Sequence, residues 1–149
     1  MYREFIGKKS QKVKNFVDRA HVKRFAESIG DLHPIYVDEA FGKKSRYGKN
    51  IAPPTFPRVF DYGAVEGLNL PQKGLIHGEQ NYHYKRPLFV GEELNCYTEV
   101  VDYYEKTGRN GRMGFLAVKR YGEELQGNVI FTEEAKIIIT EAVRKAMKI

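Results

Sequence analysis

The stretch Glu92–Lys106, EELNCYTEVVDYYEK, lies between two turn segments, Pro87–Gly91 and Thr107–Gly111, and predicts one long β-strand. Short turns join it to neighbours of the same character, so we expect hairpin-linked, antiparallel strands. Apolar and polar residues alternate unevenly along them, which predicts one buried face and one partly buried face. The three other strand segments are Leu75–Arg86, Arg112–Tyr121 and Leu125–Thr140.

The chain before these strands carries helical patterns. Lys12–Val17 predicts a short strand, and Asp18 is placed to cap a helix that extends to Ser28. The turn Gly30–Pro34 ends that helix, because glycine suits a C-cap and proline disfavours helix in the residue before it. Asp38 is placed to cap a second short helix.

The segment from Pro54 to Glu66 predicts a buried helix. Prolines are tolerated in a first helical turn, and apolar residues follow near one face. These residues are Phe56, Val59, Phe60, Gly63, Ala64 and Leu68. A helix laid on a curved antiparallel sheet makes the chain an α+β protein, and we expect residues 1–149 to form a single domain.

Composition narrows the class of protein. The chain has 149 residues, of which 42% are hydrophobic and 30% charged, and this balance favours a packed core over disorder. The single cysteine, Cys96, excludes an internal disulfide and fits a reducing compartment. No apolar run reaches the roughly 20 residues of a membrane span. We therefore predict a cytoplasmic protein that does not bind membranes.

The net charge of +6 comes from scattered residues, so it predicts no nucleic-acid partner. His77 and His83 lack the neighbouring cysteines or carboxylates of a zinc site, and we expect no metal. The chain contains neither phosphate-binding glycine motif, G-x-x-x-x-G-K-[ST] or G-x-G-x-x-G, so we expect no cofactor. It also lacks a G-x-S-x-G nucleophile motif, and Cys96 falls inside a strand as a small core residue.

The densest group of titratable residues is Gly30–Asp38, GDLHPIYVD, where Asp31, His33 and Tyr36 share one rigid turn. This segment resembles G-D-x-N-P-[LIV]-H of the MaoC-like (R)-specific enoyl-CoA hydratases and hydroxyacyl-thioester dehydratases. The resemblance extends over about residues 10 to 140. It also includes Ala52–Pro57, His77–Gln80 and, further on, Tyr84 to Leu88 and Gly91 to Glu92, which resemble the N-terminal dehydratase branch of that family.

The resemblance implies a hot-dog fold, in which a curved antiparallel sheet wraps around a central helix. It also implies reversible hydration of trans-2-enoyl thioesters, or dehydration of (R)-3-hydroxyacyl thioesters, on CoA or acyl carrier protein. In the family, the aspartate and histidine of the motif hold the water, and helix N-terminal amides polarise the thioester carbonyl. By this resemblance Asp31 is the catalytic carboxylate. Substrate-binding positions are Pro54, Thr55, Phe56, His77, Gly78 and Gln80.

The chain departs from the motif at two positions. Tyr36 stands where the family has histidine, and His33 stands where it has asparagine. A tyrosine with a pKa of about 10 is a poor base at neutral pH, although it can donate a proton. Without the resemblance, Asp31 is more simply an Asx-turn residue and Tyr36 a packing residue.

Two functions follow from these observations. The first is a hydro-lyase of fatty-acid metabolism, in which Asp31, His33 and Tyr36 are catalytic. The second is a non-catalytic acyl-binding subunit, which needs a related MaoC-like partner with the histidine. Either is expected to form a homodimer or a heterodimer, since hot-dog domains pair through their sheets. Lys85 and Arg86 are weaker candidates for contacts to CoA phosphates or an acidic carrier protein. A hot-dog thioesterase, with water activated by Asp31, is a more distant alternative.

Overall fold

A computed structural model describes residues 2–109 and 111–147 and contains a five-stranded sheet. Every pair of neighbouring strands is antiparallel. The predicted α+β class and the five predicted strands are confirmed, with ends that differ by a few residues. The strands are β1 (Val13–Phe16), β2 (Leu75–Tyr84), β3 (Glu93–Gly108), β4 (Gly111–Glu123) and β5 (Val129–Ile139), and their order in the sheet is β1-β3-β4-β5-β2. The hairpins expected between β3 and β4 and between β4 and β5 are formed, but the one expected between β2 and β3 is not, because β2 pairs with β5 at the edge of the sheet.

Four short helices flank this sheet: α1 (Arg19–Ser28), α2 (Pro34–Val37), α3 (Glu39–Lys44) and α4 (Glu141–Ala146). The two predicted caps are confirmed. The Asp18 carboxylate accepts from the His21 N–H at 2.9 Å, and Asp38 accepts from the Phe41 N–H at 3.2 Å. The sequence patterns did not predict α2 and α4. None of the helices in the described ranges is long and apolar enough to span a membrane.

The prediction of a helix over Pro54–Glu66 is wrong. In its place a 3-10 turn spans Phe56–Val59, and the chain then continues without helical hydrogen bonds. Asn15 of β1 exchanges two hydrogen bonds with the Asp61 backbone, at 2.8 and 3.0 Å, which holds this residue in an extended path. Gly63 follows with a φ of 72°, a left-handed conformation that interrupts a helix. Partners far away in the sequence therefore override the local helical pattern.

The concave face of the sheet carries the core, which has two parts. One part lies beneath α1 and the 3-10 turn and includes Val22, Phe56, Cys96 and Phe131. The other lies beneath the N-terminal residues, residues 65–70 and α4, and includes Phe5, Val100, Leu116 and Ile139. Cys96 is fully buried, as predicted. A loop thus covers the part of the sheet that the predicted helix was expected to cover.

Candidate functional site

The turn between α1 and α2 brings Asp31, His33 and Tyr36 together. An Asp31 carboxylate oxygen accepts from the His33 N–H at 3.2 Å, which closes an Asx turn. The His33 ring lies 6.1 Å from the Tyr36 ring and 5.6 Å from the Phe41 ring, in edge-on contacts. Asp31 and His33 are exposed, and Tyr36 is half-buried against the core.

The imidazole of His33 caps α2. Its Nδ1 accepts from the Ile35 N–H at 3.0 Å, so the lone pair on Nδ1 is occupied. A neutral imidazole has one acceptor nitrogen and one donor nitrogen, and Nε2 must therefore carry the proton. In this geometry His33 can donate a hydrogen bond through Nε2, but it cannot accept a proton there.

The phenol of Tyr36 is held in its protonated form. Burial raises the pKa of Tyr36, and the nearby Asp31 carboxylate and Tyr47 hydroxyl raise it further, since each disfavours a phenolate. At neutral pH the Tyr36 hydroxyl is therefore available as a donor. Asp31 adds carboxylate oxygens to this trio, and one of them already accepts from the His33 N–H.

A buried amide fixes the turn against the neighbouring segment. The Asn50 side chain donates to the carbonyls of Ile35 and Asp38, both at 2.8 Å, and accepts from the Arg19 guanidinium at 2.9 Å. Asn50 is 2% exposed. The Ile51 N–H adds a hydrogen bond to the Ile35 carbonyl at 3.2 Å. These contacts place α2 next to residues 50–52, of which Ile51 and Ala52 line a pocket.

That pocket has a volume of about 210 Å³ and a mainly apolar lining with two phenols. The Tyr84 hydroxyl donates to the Pro54 carbonyl at 2.6 Å, which joins β2 to the segment before the 3-10 turn. Tyr47 lines this pocket and also lies close enough to Tyr36 to raise its pKa, so the pocket adjoins the helix that carries Tyr36. We call this the Tyr84 pocket; it is lined by Tyr47, Ile51, Ala52, Pro54, Tyr84 and Pro87.

The three substrate-binding candidates at the start of the 3-10 turn lie in different surroundings. Pro54 lines the Tyr84 pocket, whereas Phe56 is fully buried and packs edge-on against Phe25 and His21 at 5.5 and 5.3 Å. The Phe56 N–H already donates to the Pro53 carbonyl at 2.9 Å. The exposed Thr55 N–H has no backbone partner within the described residues. Because only a 3-10 turn begins here and the Phe56 N–H is already bonded, the expected pair of α-helix N-terminal amides is not formed.

His77, Gly78 and Gln80 lie towards the other end of β2. His77 lines a second pocket, and Gly78 sits in a bulge between His77 and Glu79. Gln80 donates to the Tyr82 hydroxyl at 2.7 Å and to a Glu133 oxygen. The structure therefore does not bring these three residues together with Asp31 and Tyr36 around one pocket.

Arg86 is occupied by acidic partners. Its guanidinium makes two hydrogen bonds with Glu92, at 2.9 and 2.8 Å, and one with Glu124 at 3.3 Å. A bidentate pair of this kind stabilises the turn after β2 and leaves little of Arg86 for a phosphate. Lys85 is exposed.

A buried polar cluster on the concave face was missed by the sequence patterns. Glu133 of β5 is 0% exposed, and its oxygens accept from Arg120 at 3.0 Å, from Tyr62 at 3.3 Å and from Gln80. Tyr82 lies beside it, and burial together with the Glu133 charge raises the pKa of Tyr82 to about 12. We call these five residues the Glu133 cluster. Within residues 2–109 and 111–147, no group of three or more His, Cys, Asp or Glu side chains is arranged to hold a metal ion.

Comparison with known proteins identifies relatives of this chain. A family model described as the FAS1-like, dehydratase domain region matches residues 4–133. The UPF0336 protein of Thermobifida fusca (strain YX) is 33% identical over 113 residues, which cover 71% of this chain and 74% of that protein.

Solved structures share the fold. The C-terminally truncated HadBC (3R-hydroxyacyl-ACP dehydratase) complex of Mycobacterium tuberculosis has a TM-score of 0.73 at 14% identity, covering 93% of this chain and 99% of that chain. A MaoC-like dehydratase of Rhodospirillum rubrum has a TM-score of 0.67 at 20% identity, covering 91% and 92%. The (R)-hydratase of A. caviae involved in PHA biosynthesis has a TM-score of 0.63 at 25% identity, covering 89% and 94%. These matches confirm the predicted hot-dog fold.

Proposed function

This chain belongs to the family of FAS1-like dehydratase domains, which are MaoC-like proteins with the hot-dog fold, and we propose that it is the acyl-binding subunit of a hydratase or dehydratase. The substrates are trans-2-enoyl and (R)-3-hydroxyacyl thioesters of CoA or acyl carrier protein. The Tyr84 pocket receives the acyl group, and a related subunit supplies the imidazole that the reaction needs.

The observation that carries this proposal is the state of the two side chains beside Asp31. His33 uses its Nδ1 lone pair to cap α2, and Tyr36 keeps its proton because burial and the Asp31 charge raise its pKa. Hydration of an enoyl thioester needs a base for the water, a proton donor at the α-carbon and hydrogen bonds to the carbonyl oxygen. Asp31 can supply the base, but Tyr36 stands where the family motif has the histidine that works with it.

The proposal that this chain pairs with a second subunit agrees with the similar solved structures. The HadBC dehydratase is described as a complex of subunits, and the A. caviae protein is described as an (R)-hydratase. In this chain β2 forms one edge of the sheet and β1 the other. An unpaired edge strand offers free backbone donors and acceptors to a second chain. We expect β2 to pair with the same strand of a second copy or of the related subunit.

The first test is hydration of crotonyl-CoA, followed as loss of enoyl absorbance. The purified chain alone is expected to bind crotonyl-CoA but not to hydrate it. Co-expression with a partner that has an intact G-D-x-N-P-x-H segment is expected to give an active complex. An inactive complex of confirmed composition would contradict the proposal.

A second candidate function is hydration by this chain alone. It is favoured by the pairing of a carboxylate at Asp31 with a protonated phenol at Tyr36, because these groups could act as base and proton donor. Activity of the purified chain that disappears in the Asp31→Asn variant would support this second function. Activity that the variant retains would exclude Asp31 as the base.

A further inference from the structure

Two phenols line the Tyr84 pocket, and they differ in what they can offer to a ligand. Of the described side chains in its lining, those of Tyr47 and Tyr84 carry a hydrogen-bond donor, whereas the others are aliphatic. The Tyr84 hydroxyl already donates to the Pro54 carbonyl at 2.6 Å. A phenol has a single O–H, so Tyr84 has no second proton to offer.

The hydroxyl of Tyr47 has the opposite arrangement, because it accepts rather than donates. Its oxygen accepts from Nη2 of Arg46 at 2.6 Å, so this bond uses a lone pair and leaves the Tyr47 proton free. Within residues 2–109 and 111–147, no acceptor takes that proton. The Arg46 guanidinium also lies 4.8 Å from the centre of the Tyr47 ring. A cation that donates to the phenol oxygen polarises the O–H and strengthens it as a donor.

A tight turn holds Tyr47 at the wall of the pocket. The Ser45 carbonyl accepts from the Gly48 N–H at 3.0 Å, and the Ser45 hydroxyl accepts from the Tyr47 N–H at 3.2 Å. Gly48 has a φ of 72°, a left-handed conformation that glycine adopts without steric cost. Serine at the first position and glycine at the fourth are typical of such turns. The backbone at Tyr47 is therefore fixed before a ligand arrives, which lowers the entropic cost of using its hydroxyl.

The backbone of the pocket wall offers few donors to a ligand. The N–H groups of Ile51 and Ala52 donate to the carbonyls of Ile35 and Leu88, at 3.2 and 2.9 Å. Pro54 has no N–H. A thioester carbonyl that enters the pocket loses its hydrogen bonds to water, and this loss is costly unless a protein donor replaces them. The free O–H in the pocket lining is therefore the group that this carbonyl needs.

We propose that Tyr47 binds the thioester by donating its O–H to the carbonyl oxygen. This inference rests on the proposed function, because it takes the Tyr84 pocket as the place of the acyl group. Negative charge develops on the carbonyl oxygen as water adds to the β-carbon, so the hydrogen bond strengthens as the reaction proceeds. The proton stays on the phenol throughout. Arg46 is a positioning residue, which holds the phenol oxygen and polarises its O–H.

The test measures the carbonyl stretching frequency of bound butyryl-CoA by difference infrared spectroscopy, with ¹³C at the thioester carbonyl. Butyryl-CoA has the carbonyl of crotonyl-CoA but no double bond, so it is not hydrated during the measurement. The frequency is expected to be lower in wild type than in Tyr47→Phe, because a hydrogen bond to the oxygen weakens the C=O bond. Calorimetry should show that Tyr47→Phe binds butyryl-CoA about fivefold more weakly, the typical effect of one hydrogen bond.

Two further variants separate the hydroxyl of Tyr47 from the packing of its ring. Tyr84→Phe deletes the other hydroxyl of the pocket, but that proton is committed to Pro54, so the carbonyl frequency should match wild type. Arg46→Met changes an exposed side chain and retains the Tyr47 phenol, so it is expected to fold and to give an intermediate frequency. A shift in Tyr84→Phe as large as that in Tyr47→Phe would overturn the assignment to Tyr47.

Failure of this inference and failure of the proposed function give different results. Wild type that does not bind butyryl-CoA would contradict the proposed function and the role of Tyr47 with it. Wild type that binds butyryl-CoA with the same carbonyl frequency as Tyr47→Phe would contradict the role of Tyr47 alone.

Discussion

The molecule contains two polar clusters that differ in how they are held. In the turn of Asp31 and His33, each side-chain hydrogen bond joins residues two positions apart, and both side chains are exposed. In the Glu133 cluster the partners are 13 to 71 positions apart, and the central carboxylate is 0% exposed. Water can replace the bonds of the first cluster but not those of the second. The turn is therefore free to vary chemically, whereas the buried cluster contributes to the stability of the sheet.

The largest effect is expected from breaking the buried cluster at Arg120. Arg120→Met leaves the Glu133 carboxylate buried without its cation, which typically lowers the free energy of unfolding by about 3–5 kcal/mol. Urea denaturation measures this loss. The double variant Arg120→Met with Glu133→Leu removes both charges and should be more stable than the single variant. A double variant that is less stable would show that the pair does not act as a unit.

The next largest effect is expected from changing the exposed turn of Asp31 and His33, and it is an effect on activity rather than on stability. His33→Asn combined with Tyr36→His restores the family segment G-D-x-N-P-x-H around Asp31. A positioned acid–base group typically contributes about 10²-fold or more, so we expect the purified variant to hydrate crotonyl-CoA at least that much faster than wild type. Adding Asp31→Asn should abolish the gain. A folded double variant that binds crotonyl-CoA without hydrating it would contradict the role assigned to the turn.

The difference between local and distant hydrogen-bond partners also explains which features of the structure could be predicted from the sequence. Asp18 caps α1 as predicted, because a cap depends on a carboxylate and an N–H three residues apart. The strands are also predicted, because each is recognised from its own run of residues, and β3, β4 and β5 are joined by hairpins between neighbours in the sequence. The turn that holds Asp31 follows α1, as the glycine and the proline at Gly30 and Pro34 predict. Each of these features depends on nearby residues.

The features that the sequence does not predict depend on distant residues. The helix expected after Pro54 fails because Asn15, 46 positions away, holds the backbone of Asp61. Glu133 looks like an ordinary strand residue until folding brings Gln80, Arg120 and Tyr62 around it. Local spacing contains no signal for these pairings.

A smaller effect should appear when the buried cluster is titrated. The raised pKa of Tyr82, about 12, means that folding favours the neutral phenol. Its contribution to stability is complete below the unfolded pKa of about 10 and is lost as the pH rises towards 12. Melting temperatures between pH 9 and 12 should therefore fall less steeply for Tyr82→Phe than for wild type. Parallel curves would show that the Tyr82 phenol titrates as it does in the unfolded chain.

The smallest effect is expected at Asp31, and it separates chemistry from structure in the exposed turn. In Asp31→Asn the amide oxygen can still accept from the His33 N–H, so urea denaturation should show a change within about 0.5 kcal/mol. A loss well beyond that range would mean that the carboxylate is mainly structural, as its Asx turn allows. If stability is unchanged, any activity lost by Asp31→Asn, in the complex or in the restored variant, reports the proton chemistry of the carboxylate. The conservative amide is the right comparison, because Asp31→Ala would remove the turn and the base together.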